Sequence, residues 1–143
     1  MTAKEKINPA EDTLMEPVLR LFPRRKYYRF IEVPLGRKKV DLWCVSKINT
    51  NSYICIELKV ENWRKALWQA AINFQIGKQS YIAIWHRYVH RVEKHARLLS
   101  QYGVGLIAVK QNQAEIIIPS QNQDRASITR DDRQKFFSGL ISV

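Results

Sequence analysis

Acidic residues are scarce in this chain. Thirteen Asp and Glu stand against 24 Lys and Arg, giving a formal net charge of +11 and an isoelectric point near 9.9. Such a surplus argues against an acid-coated surface and for a polyanionic partner, nucleic acid before membrane. Cysteine is almost as rare. Cys44 and Cys55 both sit inside apolar runs, too few for a zinc cluster or a disulfide framework, and are expected as buried thiols in a reducing cytoplasm. No apolar run approaches the roughly 18–20 residues that a membrane helix needs. The opening residues Met-Thr-Ala-Lys-Glu-Lys lead into polar sequence, so no secretory signal is expected. With five glycines there is no Gly-rich phosphate loop, and no G-x-S-x-G elbow appears. His86 and His90 lie four apart but lack the intervening Glu of the metalloprotease helix. Repeats, low-complexity linkers and helix-turn-helix, zinc-finger or RNA-recognition motifs are all missing, which leaves site-specific base reading unsupported.

What remains is 143 residues with 45% apolar and 26% charged content, the profile of one globular domain spanning 1–143. Its most informative part is Asp41, followed after fifteen residues by Ile56-Glu57-Leu58-Lys59. Residues 53–60 are rich in β-formers and read as a strand. Alternation places Glu57 and Lys59 on one face, Ile56 and Leu58 on the other. Asp41 belongs to the preceding apolar run, residues 40–45, and the turn-rich link between the runs predicts an antiparallel hairpin with Asp41 near Glu57 and Lys59. Two adjacent carboxylates repel unless a cation or a raised pKa relieves them. A hard divalent ion suits them, since Mg²⁺ takes one or two carboxylates plus phosphate oxygens. A neighbouring ammonium can then orient water or stabilise the transition-state charge. These are the parts of a metal-dependent phosphodiesterase.

The run Val40-Asp41-Leu42, then Ile56-Glu57-Leu58-Lys59, then Ala66-Leu67-Trp68-Gln69 resembles the PD-(D/E)xK nuclease superfamily, over roughly residues 10–110. The resemblance implies an α/β restriction-endonuclease-like or Holliday-junction-resolvase-like core, a mixed central sheet flanked by helices in αβββαβ order. It implies that Asp41 and Glu57 bind Mg²⁺, with Mn²⁺ able to substitute, that the Leu58 carbonyl is a third ligand, and that Lys59 assists the attacking water. Val40 stands where the family often has Pro. The family's helix Gln is often followed four residues later by Tyr; here Gln69 is followed by Asn73, so only Gln69 carries over as a substrate contact.

Along the chain, Leu14, Met15, Val18, Leu19 and Phe22 predict a helix over about 9–22, with Asn8-Pro9 and Thr13-x-x-Glu16 as competing starts. Glu11 shares its inner face. By resemblance Glu11 joins the metal ligands; read plainly, it occupies an early helical position. Strands are expected at 27–35 and 39–45, joined by a tight turn whose tip carries Arg37, Lys38 and Lys39. A helix from Asn62 to Phe74 stops at Gly77, and Gln69 and Asn73 lie off the centre of its apolar stripe. A strand at 81–85, a helix at 89–101, strands at 103–109 and 114–118, and a short helix at about 129–139 complete the reading. Phe136 and Phe137 in that last helix either dock on the core or make a homodimer contact. The basic clusters 24–26, 37–39 and Arg64-Lys65 are candidate substrate contacts. The expected activity is a small Mg²⁺-dependent endonuclease, on DNA before RNA. The alternatives are a non-catalytic nucleic-acid-binding module on the same fold and an RNA-directed nuclease.

Overall fold

The computed structural model describes residues 8–49, 52–123 and 140–143. Its centre is a mixed six-stranded sheet in sequential order. Strands β1 (Tyr27–Leu35), β2 (Lys38–Ser46) and β3 (Tyr53–Lys59) form an antiparallel meander. Strands β4 (Gln79–Trp85) and β5 (Gly105–Val109) then add in parallel, and β6 (Ala114–Ile118) closes the edge antiparallel to β5. Parallel neighbours need crossovers. Helix α2 (Trp63–Ile72) supplies the first, and the pair α3 (Val89–Glu93) and α4 (Ala96–Tyr102) the second. Two crossovers stepping the same way with one hand put their helices on one face of the sheet. Ala66, Ala70, Val92 and Leu99 accordingly pack together on Ile82, Ile84 and Leu106.

On the opposite face a 3₁₀ turn (Glu11–Leu14) runs into helix α1 (Met15–Leu19). Leu14, Val18, Leu19 and Phe22 cover Leu42, Ile54, Ile56, Leu58 and Ile107. The helix is shorter than its apolar stripe suggests and has no side-chain cap. Ala10 is the N-cap of the 3₁₀ turn and Leu14 that of α1; the Asn8 side chain instead accepts from the Tyr88 hydroxyl, and the Thr13 hydroxyl donates back to the Ala10 carbonyl. Asn62 does cap α2, accepting from the Lys65 N–H. A third cluster gathers Phe30, Val33, Val40, Trp43 and Cys55 around Ile76, whose carbonyl accepts from the Trp43 indole at 3.0 Å. Cys44 and Cys55 are buried free thiols, Cys44 in the α1 cluster and Cys55 in the Trp43 cluster. The β1 edge is partly covered, because the Val143 N–H donates to the Arg29 carbonyl and the Ser142 hydroxyl accepts from the Arg29 N–H.

Boundaries also differ from expectation further along the chain. The helix expected over 89–101 divides at Lys94–His95, where the His95 ring lies 4.9 Å from that of Trp63. Gly103 does not open β5; it terminates α4 in the left-handed region, φ 72°, which glycine adopts without a Cβ clash. The short helix expected at 129–139 lies outside the described residues. No helix among the described residues is long and apolar enough to cross a membrane.

Candidate active site

The site begins with an irregularity in the β1–β2 hairpin. Pairing runs through Ile31↔Leu42 and resumes at Val33↔Val40, so Glu32 and Asp41 drop out of the ladder together. Glu32 has φ 52°, which a non-glycine residue adopts only at a cost. Val40 and Trp43 then share one cluster although they are three apart, while Leu42 lies in the α1 cluster on the other side. Strand β2 therefore changes face at Asp41. Its pairing with β3 also stops there, the last partners being Leu42↔Ile56. Beyond them the strands part, and the gap is bridged by Asp41, whose Oδ2 accepts from the Leu58 N–H at 2.8 Å. In a strand the N–H and C=O of one residue face the same edge, so the Leu58 carbonyl faces this gap too.

Glu57 comes from the other face of β3, in series with Tyr53 and Cys55. It is 1% exposed. Burial of a carboxylate at that depth requires partners. Two are present: the Lys38 ammonium at 2.8 Å and the Asn73 amide N–H at 2.9 Å, both on Oε1. Asn73 is itself fully buried at the end of α2 and accepts from Lys38 through Oδ1. Burial and the neighbouring Glu57 carboxylate, with which it also shares a hydrogen bond, push the Asp41 carboxyl up to about 7, against weaker lowering by the Leu58 N–H and Lys59. The two acidic side chains are thus within hydrogen-bonding reach of each other.

Lys59 is held at 3.3 Å from Glu11 Oε1, so the 3₁₀ turn before α1 supplies its counter-ion. Glu11 and Asp12 join Met15, Ile31, Glu32, Asp41 and Leu58 around an open cavity of about 310 Å³. Among the described residues no three His, Cys, Asp or Glu side chains converge as a ready-made cation cage. A magnesium-type ion does not need one, since it keeps several waters and takes one or two carboxylates. The repelling Asp41–Glu57 pair beside the Leu58 carbonyl has the donor chemistry for it.

The residues singled out from the sequence divide into two groups. Asp41, Glu57, Leu58, Lys59 and Glu11 come together. Arg37 and Lys39 are exposed on the hairpin, Lys39 within 4.0 Å of Glu32. Arg64 and Lys65 are exposed on the first turn of α2, with the Arg64 guanidinium 4.6 Å over Trp63. Gln69 is half-buried one turn before Asn73. Lys38 departs from expectation. It starts β2 rather than crowning the turn, its side chain is 19% exposed, and it points inward to Glu57. Strict alternation would separate it from Asp41's partners; the face change at Asp41 brings it in. Asn73 was legible only as an amide off the apolar stripe, and no sequence spacing announces its bond to Glu57.

No family model matches this chain, and no curated protein matches it. Among solved structures it is similar to the SPO1766 protein of unknown function from Silicibacter pomeroyi, with a TM-score of 0.65 and 19% identity over 91% of this chain and 82% of that one. That likeness is one of fold: an α/β chain with a six-stranded mixed sheet flanked by helices.

Proposed function

We propose that this chain is a metal-dependent endonuclease of the PD-(D/E)xK kind, acting on DNA before RNA. One observation carries the reading: Asp41 and Glu57 are pressed together at the mouth of a splayed strand pair, with the Asp41 carboxyl raised to about 7. A site that stores carboxylate repulsion gains most from a divalent cation. The order helix, three strands, helix, strand supports a restriction-endonuclease-like core, and the +11 charge supports a phosphodiester backbone as substrate.

In this reading Asp41, Glu57 and the Leu58 carbonyl hold Mg²⁺ or Mn²⁺, with Glu11 close by. When bound, the ion supplies Lewis acidity toward a phosphate oxygen and acidifies a coordinated water. The remaining work falls to the chain's own residues. Lys59, oriented by Glu11, offers a proton donor and a positive charge to the attacking water or the equatorial oxygens. Arg37, Lys39, Arg64 and Lys65 attract the backbone, and Gln69 contacts it from α2.

The test is incubation of plasmid, linear, branched and single-stranded DNA and of RNA with Mg²⁺, Mn²⁺ or EDTA. DNA cleavage that needs the divalent ion and disappears in both Glu57→Ala and Lys59→Ala is expected. Cleavage surviving both substitutions overturns the assignment. A second reading, a non-catalytic nucleic-acid-binding module, draws on the Lys38–Glu57 ion pair, which satisfies the buried carboxylate from within. Salt-dependent binding without cleavage of any of these substrates would favour it.

A further inference from the structure

Two of the groups bonded to Glu57, Lys38 and Asn73, come from outside the D…ExK pattern. Lys38 brings a full positive charge to within 2.8 Å of a carboxylate expected to serve a dication. It is clamped there, since its ammonium also donates to the Asn73 Oδ1 while the Asn73 amide donates to the same Glu57 oxygen. Lys38, Glu57 and Asn73 so form a closed triangle of hydrogen bonds. Every bond in it to Glu57 falls on Oε1, which leaves Oε2 for the Asp41 side. Building the triangle requires the face change in β2 at Asp41, because that change alone puts Lys38 on the Trp43 face with Glu57.

A purely structural neutraliser of Glu57 would not need a second carboxylate beside it. The Lys38 ammonium and the Asn73 amide both bond Oε1, so the charge of Lys38 is directed at that oxygen. Lys38 therefore compensates one oxygen and leaves the other to the Asp41 side.

We propose that Lys38 is the site's internal counter-ion, a positioning residue that reserves Glu57 Oε1, confines a bound divalent cation to the Asp41 side and holds its affinity down. This rests on the metal-dependent reading above. An ammonium a few ångströms from a cation competes with it for the same carboxylate, as like charges do in pKa shifts. The gain is geometric: Glu57 offers one oxygen in one orientation, as partners of metal ligands do elsewhere.

The experiment measures Mn²⁺ binding by titration calorimetry on the whole chain, alongside DNA cleavage and thermal melting. Lys38→Met keeps the length of the side chain and removes its charge. We expect it to bind Mn²⁺ about tenfold more tightly than the natural chain while cleavage slows roughly ten- to a hundredfold. Affinity and rate moving in opposite directions is the signature; a merely structural pair would lower both. Should Lys38→Met not fold, Asn73→Asp sets a carboxylate against the same ammonium and is expected to tighten Mn²⁺ binding likewise. Equal or weaker Mn²⁺ binding by whichever folded variant is read overturns the counter-ion role, even if the natural chain binds Mn²⁺ well. Binding by the variant but not by the natural chain supports it in its strongest form. No Mn²⁺ binding by either overturns both this role and the metal-dependent reading.

Discussion

Asp41 is the residue on which stability and proposed activity pull apart. Its Oδ2 satisfies the Leu58 N–H, yet its charge faces Glu57 across the strand gap. A carboxyl whose folded pKa lies above its ordinary 3.8 binds more protons folded than unfolded. The contribution of Asp41 to stability without divalent ions is therefore greatest below about pH 4, falls as pH rises to about 7, and is level above that. Urea denaturation in EDTA from pH 4 to pH 8 checks this slope. Asn in place of Asp41 keeps an oxygen for Leu58 and removes the repulsion. Asp41→Asn is expected to gain about 1–2 kcal/mol at pH 8, screened by solvent at this partly open site, and nothing at pH 4, while losing cleavage. Added Mg²⁺ should stabilise the natural chain at pH 8 and leave Asp41→Asn nearly unmoved.

Among the elements, the β1–β2 hairpin decides what the site contains. Glu32 sits at φ 52° where the ladder breaks, a conformation glycine adopts freely and β-branched residues avoid. Glu32→Gly should be tolerated without loss of stability, whereas Glu32→Val should cost roughly 1–2 kcal/mol and weaken cation binding together. Denaturant midpoints, read beside Mn²⁺ titrations, separate the two variants. The same break explains what the sequence concealed. Strand β3 and helix α2 were legible because period-2 and period-3.6 patterns run unbroken through residues 53–59 and 63–72, and so Asp41, Glu57 and Lys59 could be brought together. Lys38 was not legible, since simple alternation counts faces and cannot register a strand that turns over. Asn73 reaches Glu57 from a 3₁₀ turn beyond α2, where helical spacing no longer applies. The division of the expected 89–101 helix escaped for a similar reason: Val92 and Leu99 keep helical phase across the break at His95.

For the molecule as a whole, charge and surface chemistry are the coarse determinants. With a +11 surplus, affinity for DNA should fall steeply with salt, log K declining by about 0.9 per neutralised phosphate for each unit of log salt. Arg37→Ala and Lys39→Ala should each reduce that slope by about one, as measured by fluorescence anisotropy between low and moderate salt. Lys38, turned inward, should leave the slope unchanged although it is their neighbour in sequence.

The two thiols offer one more use of this architecture. Cys44 and Cys55 are buried on opposite faces of the same sheet, and burial pushes both thiols well above their ordinary range. Neither reacts without an opening of the packing that covers it. Cys44 lies beneath α1, and Cys55 donates to the Asn73 carbonyl two residues along β3 from Glu57. Alkylation rates of the two sulfurs thus clock two separate breathing motions, one of the roof that carries Glu11 and one of the floor that carries Asn73. A cation that knits Asp41 to Glu57 would slow the second clock, giving a chemical stopwatch for the site that needs no substrate at all.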